Sequence, residues 1–513
     1  MCKLSASAAI VAEEDLFRET ASDLYNQGWD HYDLGELKEA GQAFEAALEL
    51  YEQLPNSQLN QANCQLSLGC VMQQEGKLKE ALERHDTARQ TYQQLEPDSL
   101  NLAAVYNNIG IVVQCQGNLD EALYLYNRSR VLRETLAPDS LALATSYNNI
   151  GNILHNQSKL EEALEMHQKA KTIQERLAPS SLDLAHSCHN VACVLQDQGK
   201  FLDAMEQYAM AQEIRVRLAP HSLDLARTHN NVGNILESQG KLLLALERHS
   251  LARAIRTRCA PDSLDLACTF NNEANVLQVQ GKYQEAVHLY EMALAIQDRE
   301  APHSLDIGAT YSNLGLVSFC QNDTNRARAL YDKAMEIQEN VSPGCLDLSI
   351  TLNNIAELLC FESHQWSEAL ELCSRAQDIR DRLAPGSLAS ADILRTFGNI
   401  YQAMVPTVGI KKTRDPMECY QEAKALQEVH APDSPDLART LVDMASLQKE
   451  RGNAQEALTL AESACTIWLQ PHIGIIPDHP RYVEAKSLVE ELKTAVETTT
   501  TTGRALAQSN GLC

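Results

Sequence analysis

The residues of this chain that could carry chemistry are few, and their spacing speaks against a reaction. Cys188, His189 and Cys193 come nearest to a nucleophile-and-base pair or a metal-binding group. Cys188 and His189 are adjacent, so on a helix they point in different directions and do not form a working pair. No phosphate loop, H-E-x-x-H or G-x-S-x-G occurs. The fifteen cysteines include no C-x-x-C. Many of them, such as Cys193, Cys268 and Cys373, fall where a helix interior needs a small apolar residue. They are expected to be reduced thiols filling small gaps, consistent with a cytoplasmic protein. A zinc or redox site is the alternative, and no metal-ligand spacing supports it. The chain is therefore expected to be no enzyme and to hold no cofactor or metal.

The other recurrent chemistry is that of the amide. Asn108, Asn149, Asn190, Asn231, Asn272, Asn313 and Asn354 follow one another every 41 residues. Three residues further along stand Asn152, Asn234, Asn275 and Asn399. Asparagine offers both donor and acceptor, so such a ladder can grip a peptide backbone without reading its sequence. It can equally well bond the neighbouring helix, and the sequence leaves both readings open. Positive groups cluster at His155, His186, His189 and Arg227. They could receive a carboxylate or an acidic motif, or they could be scattered polar residues on a solvated face.

Composition bounds the partners. The chain has 513 residues and a formal charge of -26, which repels phosphate backbones and anionic lipid. Nucleic acid and membrane are therefore not expected as partners. No apolar run reaches the roughly 20 residues that a spanning helix needs. The start, Met1 to Ala12, is too weakly apolar for a signal peptide. Cys513 stands last, so the end is no prenylation box. Hydrophobic residues make up 44% and aromatics only 5%, a balance that favours close helix packing over a sheet core.

The elements that would position the amides repeat. Pro97, Pro138, Pro179, Pro220, Pro261, Pro302 and Pro343 are each 41 residues apart. Pro55 precedes them by 42, and Pro385 and Pro432 follow at steps of 42 and 47. Between Pro138 and Ala178 the pattern predicts a helix capped by Ser140, a turn over His155 to Lys159, and a second helix from Leu160 to Leu177. Most other turns hold Gln-Gly, as at Gln116-Gly117, where glycine can take the left-handed conformation that ends a helix. Gly151, Ala163 and Ala170 are expected where two helices cross. The twelve-residue step from glycine to alanine recurs from Gly110 to Ala122, Gly233 to Ala245 and Gly315 to Ala327. An aromatic or histidine fills the slot beyond it, at Tyr126, His167, Tyr208, His249, Tyr290 and Tyr331.

These offsets match the tetratricopeptide signature, with each repeat about seven residues longer than the usual 34 or so. Seven residues is about two helical turns, so the inward face is preserved. With N-N-I/V-G-N-I-L on the first helix, Q-G-K-x-x-E-A opening the second and A-x-x-I-x-x-R-L-A-P closing it, the chain resembles the long-helix repeats of the kinesin light chain family over residues 15 to 470. The resemblance implies an all-α, right-handed superhelical solenoid of about eleven helix-turn-helix repeats. It also implies that the first helix of each repeat lines a concave face whose polar side chains hold an extended peptide. The matching positions are Asn149, Asn152, His155, His186, His189, Asn190, Arg227, Asn231, Asn234, Asn272 and Asn275. The expected function is a scaffold or adaptor that binds proteins or peptides; a kinesin-associated cargo transport adaptor is the alternative. The family grips its motor through an N-terminal heptad coiled coil. Here Gly28, Ala40, Phe44 and Ala47 are already in repeat phase, leaving no room for one. Chaperone-tail clamps of other tetratricopeptide proteins place lysines and arginines where this chain has Thr145, Cys268, Ala309 and Ile350, so such a clamp is not expected.

The reading divides the chain into an extension at 1–14, the solenoid at 15–470, a linker and capping helix at 471–497, and a disordered tail at 498–513. The ninth repeat carries an extra residue around Ser363 to Trp366. The tenth carries an insertion, Val405 to Asp415, whose Lys411, Lys412 and Arg414 are either a second contact or an exposed loop. A Pro-rich joint, Pro471 to Pro480, leads to the helix at Arg481 to Val496, expected to cap the end of the stack.

Overall fold

The computed structural model describes residues 2–362, 365–404 and 414–510, and among them there are 23 helices and no strand. They form two units. The first, Met1–Leu218, holds five pairs: α1 (Cys2–Asp33) with α2 (Leu37–Gln53), α3 (Gln58–Gln74) with α4 (Leu78–Leu95), α5 (Leu100–Cys115) with α6 (Leu119–Leu136), α7 (Leu141–Asn156) with α8 (Leu160–Leu177), and α9 (Leu182–Asp197) with α10 (Phe201–Leu218). The second, Ala219–Cys513, holds six: α11 (Leu223–Ser238) with α12 (Leu242–Cys259), α13 (Leu264–Val279) with α14 (Tyr283–Glu300), α15 (Leu305–Cys320) with α16 (Thr324–Val341), α17 (Leu346–Glu362) with α18 (Trp366–Leu383), α19 (Leu388–Ala403) with α20 (Pro416–His430), and α21 (Pro435–Glu450) with α22 (Ala454–Trp468). A last helix, α23 (Pro480–Asn510), packs on α22 and α21. Within each unit every helix packs on its neighbours in sequence, which is an α-solenoid.

Local chemistry sets the boundaries. Ser140, Ser181, Ser222 and Ser263 each accept the backbone N–H three residues on, satisfying an orphan donor at the start of the first helix. Inside a pair, the glycine of the first helix meets the ring of the second. A Cβ on Gly151 would lie 2.6 Å from the His167 ring, and one on Gly110 would lie 2.7 Å from Tyr126. Only glycine lets the axes come so close, and the fully buried Ala163 and Ala170 continue the narrow seam.

A buried polar column ties one repeat to the next. Near the end of α6, Arg133 donates to the Ala142 carbonyl at 2.7 Å and to Ser146 Oγ at 2.8 Å on α7. One repeat on, Ser187 donates to Gln174 at 2.5 Å, and in the second unit Thr310 donates to Gln297 at 2.9 Å. Arg256 and Arg380 do the same for Thr269 and Ser349. These polar groups are buried but bonded, so burial need not be offset elsewhere.

The structure differs from the sequence reading at both ends. α1 starts at Cys2, so the extension assigned to 1–14 is continuous with the first repeat. α23 runs on to Asn510, through the stretch assigned to a disordered tail. Ser363, His364, Lys411 and Lys412 lie outside the described residues. Arg414 is described and pairs with Glu422 and Glu418 on α20.

The joint after α22 is more than a linker. It returns to the first helices of its own unit. Leu243 N–H donates to the His472 carbonyl at 3.0 Å and Ile476 N–H to the Gln280 carbonyl at 3.2 Å. The Gln280 side chain donates to the Ile473 carbonyl at 3.2 Å. Ile473 and His479 are buried, and the His479 ring lies 4.8 Å from that of Trp468. This strap clasps the last repeat of the unit to α12 and to the turn before α14.

Candidate peptide-binding site

In the first unit, each first helix carries a stripe of partly exposed residues between buried ones. On α7 it is Thr145, Asn149, Asn152 and His155; on α9 it is His186, Asn190, Cys193 and Asp197. The steps of three and four residues keep them on one face. The ladder asparagines therefore sit where a ligand could reach them, and they also bond to each other. Asn190 Nδ2 donates to Asn152 Oδ1 at 3.0 Å, and Asn149 Nδ2 to Asn107 Oδ1 at 3.0 Å. Each rung uses one of the two hydrogens on the donor amide, so the group keeps capacity for a further bond.

The second unit repeats the rungs. Asn272 Nδ2 donates to Asn234 Oδ1 at 3.0 Å and to Asn230 at 3.3 Å, and Asn313 donates to Asn275 at 3.0 Å. Asn231 lies half-buried on α11. The inter-helix role left open by the sequence is thus present along the whole ladder.

The positive patch is reshaped. His155 Nε2 lies 2.6 Å from Asp197 on the next first helix, and Arg227 Nη2 lies 2.6 Å from Asp224, so each has its own counter-charge. His186 is half-buried on α9. His189 is only 2% exposed, with its ring edge-on to Tyr208 at 5.3 Å, and it does not line the face. The reason is register. His189 occupies the column of Asn148 and Asn230, one residue before the open slot, and one residue turns a helix by about 100°. Asn148 and Asn230 in that column are buried too, bonding the His167 and His249 rings at 3.1 and 3.3 Å.

The constellation around Cys188 dissolves as well. Cys188 is buried and its thiol is pushed up to about 11 by burial, the reverse of an activated nucleophile. The thirteen described cysteines are free thiols. Among the described residues no group of three or more His, Cys, Asp or Glu is placed to hold a metal, and no helix is long and apolar enough to cross a membrane.

Sequence reasoning missed the interior of the second unit. The open slot of Thr145, His186 and Arg227 continues through Cys268, Ala309 and Ile350 to Asp392 and Arg439. The steps of 42 and 47 residues hid these last two members. Arg439 on α21 lies 3.4 Å from Glu357 on α17, two repeats back. Arg395, itself 3% exposed, lies 3.2 Å from Glu357 and 3.2 Å from Asp443. Burial alone would raise the Glu357 carboxyl, but Arg395, Arg439 and Arg481 hold it down at about 2.

The tetratricopeptide repeat model matches at residues 19–94, 62–135, 101–176, 142–215, 224–297 and 265–340, more than half of the chain. The chain belongs to the tetratricopeptide repeat family. Proteins of this family are protein-interaction scaffolds, and the fold is that of a scaffold. No curated protein matches the chain. Similar solved structures include the apo form of RapI, at 15% identity and a TM-score of 0.43 over 54% of this chain and 97% of that one. Another is a kinesin light chain-like repeat protein of Podosopora anserina, at 17% and 0.33 over 39% and 98%. BtubC (BKLC) of P. vanneervenii stands at 19% and 0.29 over 52% and 91%. Likenesses at this level carry no argument about partners.

Proposed function

We propose that this protein is an adaptor that holds an extended segment of a partner protein along the first-helix face of its first unit. Asn149, Asn152 and Asn190 would bond the segment's backbone. The observation that carries the reading is the amide row itself: partly exposed, evenly spaced and, rung by rung, using one N–H of each donor. A backbone presents a donor and an acceptor at every residue, and a fixed row of amides answers both. The rungs pre-set the amide orientations, which lowers the ordering penalty of binding. In this reading the protein works in the cytoplasm and catalyses nothing, and its unpaired thiols suit that compartment.

The test is affinity capture from native lysate with the full chain beside Asn149→Ala/Asn190→Ala, after circular dichroism shows both folded. Partners held by the intact chain and lost by the variant are the expected result. Equal retention by both would remove the amide row from recognition. Kinesin heavy chain among the partners would identify the adaptor as a transport adaptor.

A further inference from the structure

The second unit holds a cavity that the amide row does not explain. The Arg439–Glu357 pair stands between two adjoining spaces of about 310 and 200 Å³. The larger one is walled by Leu316, Phe319, Phe361 and Trp468, and it is closed on one side by His479 and Pro480 of the strap. Arg439 and Arg481 open onto it.

The charges around this space do not balance. Arg395, Arg439 and Arg481 line one small void with Asp443 and surround Glu357. That inner set has three guanidiniums and two carboxylates. Asp436 and Glu484 are nearby, but their side chains are 54% and 51% exposed, so water screens them. Asp392, on the far side of Arg439, is pushed up to about 7 by burial and by Asp436, so it is only partly ionised at neutral pH. One positive charge is left over inside a chain of -26. The three arginines come from unlike places: a buried first-helix slot, an open first-helix slot, and α23, which belongs to no repeat. The cluster is therefore no by-product of the repeat.

We propose that this cavity is a binding site for a small organic acid: one carboxylate on an apolar, ring-sized body. The carboxylate meets Arg439 and Arg481, which offer paired N–H donors to its two oxygens. The body lies against Leu316, Phe319 and Phe361. The same chemistry comes from a free acid or from the acid end of a peptide.

Titration calorimetry on the full chain decides it with three probes: 3-phenylpropionate, its uncharged amide, and acetyl-Gly-Gly-Phe with a free carboxylate. At least one acid is expected to bind at one site per chain, with the amide about tenfold weaker or worse. Arg439→Gln should weaken the acid by a similar factor. Phe361→Ala, at a residue 62% exposed and so safe for folding, should weaken it too, while Arg176→Gln on the first unit should not. Preference for 3-phenylpropionate assigns a free acid, and preference for the peptide assigns a chain end. The proposal is overturned if no probe binds, if acid and amide bind alike, or if folded Phe361→Ala binds as the intact chain does. None of these outcomes bears on the amide row of the first unit, so the two readings fail separately.

Discussion

Arg395 Nη2 reaches Glu357 Oε1 at 3.2 Å across a step of 38 residues, the same step by which Asn190 reaches Asn152 and Asn313 reaches Asn275. The amide rung of the earlier repeats has become a charged rung. With Arg439 joining from two repeats on, the rung also spans the interior of the unit.

Glu357→Gln should therefore destabilise the second unit by about 3–5 kcal/mol, because it leaves buried guanidiniums uncompensated. Urea unfolding measures this. Because the carboxyl is held near 2, below its ordinary value of about 4.3, its contribution is complete above that value and is lost as pH falls toward 2. The variant should lack this loss. An unchanged midpoint would mean the cluster is solvated.

The amide rungs should behave as coupled pairs. Asn190→Ala and Asn152→Ala are each expected to lower stability by about 1 kcal/mol, and the double variant by less than the sum. Strict additivity would show that the 3.0 Å contact does not contribute.

His167 gives the first unit a pH dependence. Burial beside Gly151 holds its ring down at about 3, so the folded state keeps it neutral while the unfolded chain protonates below about 6.5. Stability is full above pH 6.5 and falls as pH drops toward 3, by roughly 2–3 kcal/mol at pH 4. His167→Tyr, the residue found in this slot at Tyr126 and Tyr208, should flatten that fall in thermal melts. An equal slope in both proteins would place the acid sensitivity elsewhere.

The strap depends on Gly474. Its φ is +65°, and a Cβ there would lie 2.5 Å from the Leu243 side chain. Gly474→Val should free the strap and expose Trp468, which is now 2% exposed beside His479. A red shift in tryptophan emission without loss of helix signal is the expected result. An unshifted spectrum would show that the strap tolerates the bulk.

Much of this molecule was legible because it is written several times over. Ser140, Gly151 and Ala163 mean little singly, but at fixed offsets in successive repeats they define a cap, a crossing and a seam. Register was legible only while the period held. Beyond Pro343 the steps of 42 and 47 residues displace the columns, and Arg439 no longer announces that it shares a slot with Arg227. His189 failed for a finer reason: the open and buried columns are one residue apart, and histidine suits both. The strap was not legible at all. A contact between His472 and Leu243 depends on how far the unit curves, and curvature is a sum of small packing angles that no spacing records.

The strap also changes how the second unit would answer a pull. An open solenoid yields like a spring, its end repeats peeling away singly because each is held on one side only. Here the last repeat is fastened to α12 by the Leu243–His472 bond and to the turn before α14 through Gln280. Stretching the unit must first unlatch that fastening. A load applied at α23 is then met by a buckled hoop: stiff up to the moment the latch gives, and compliant after it.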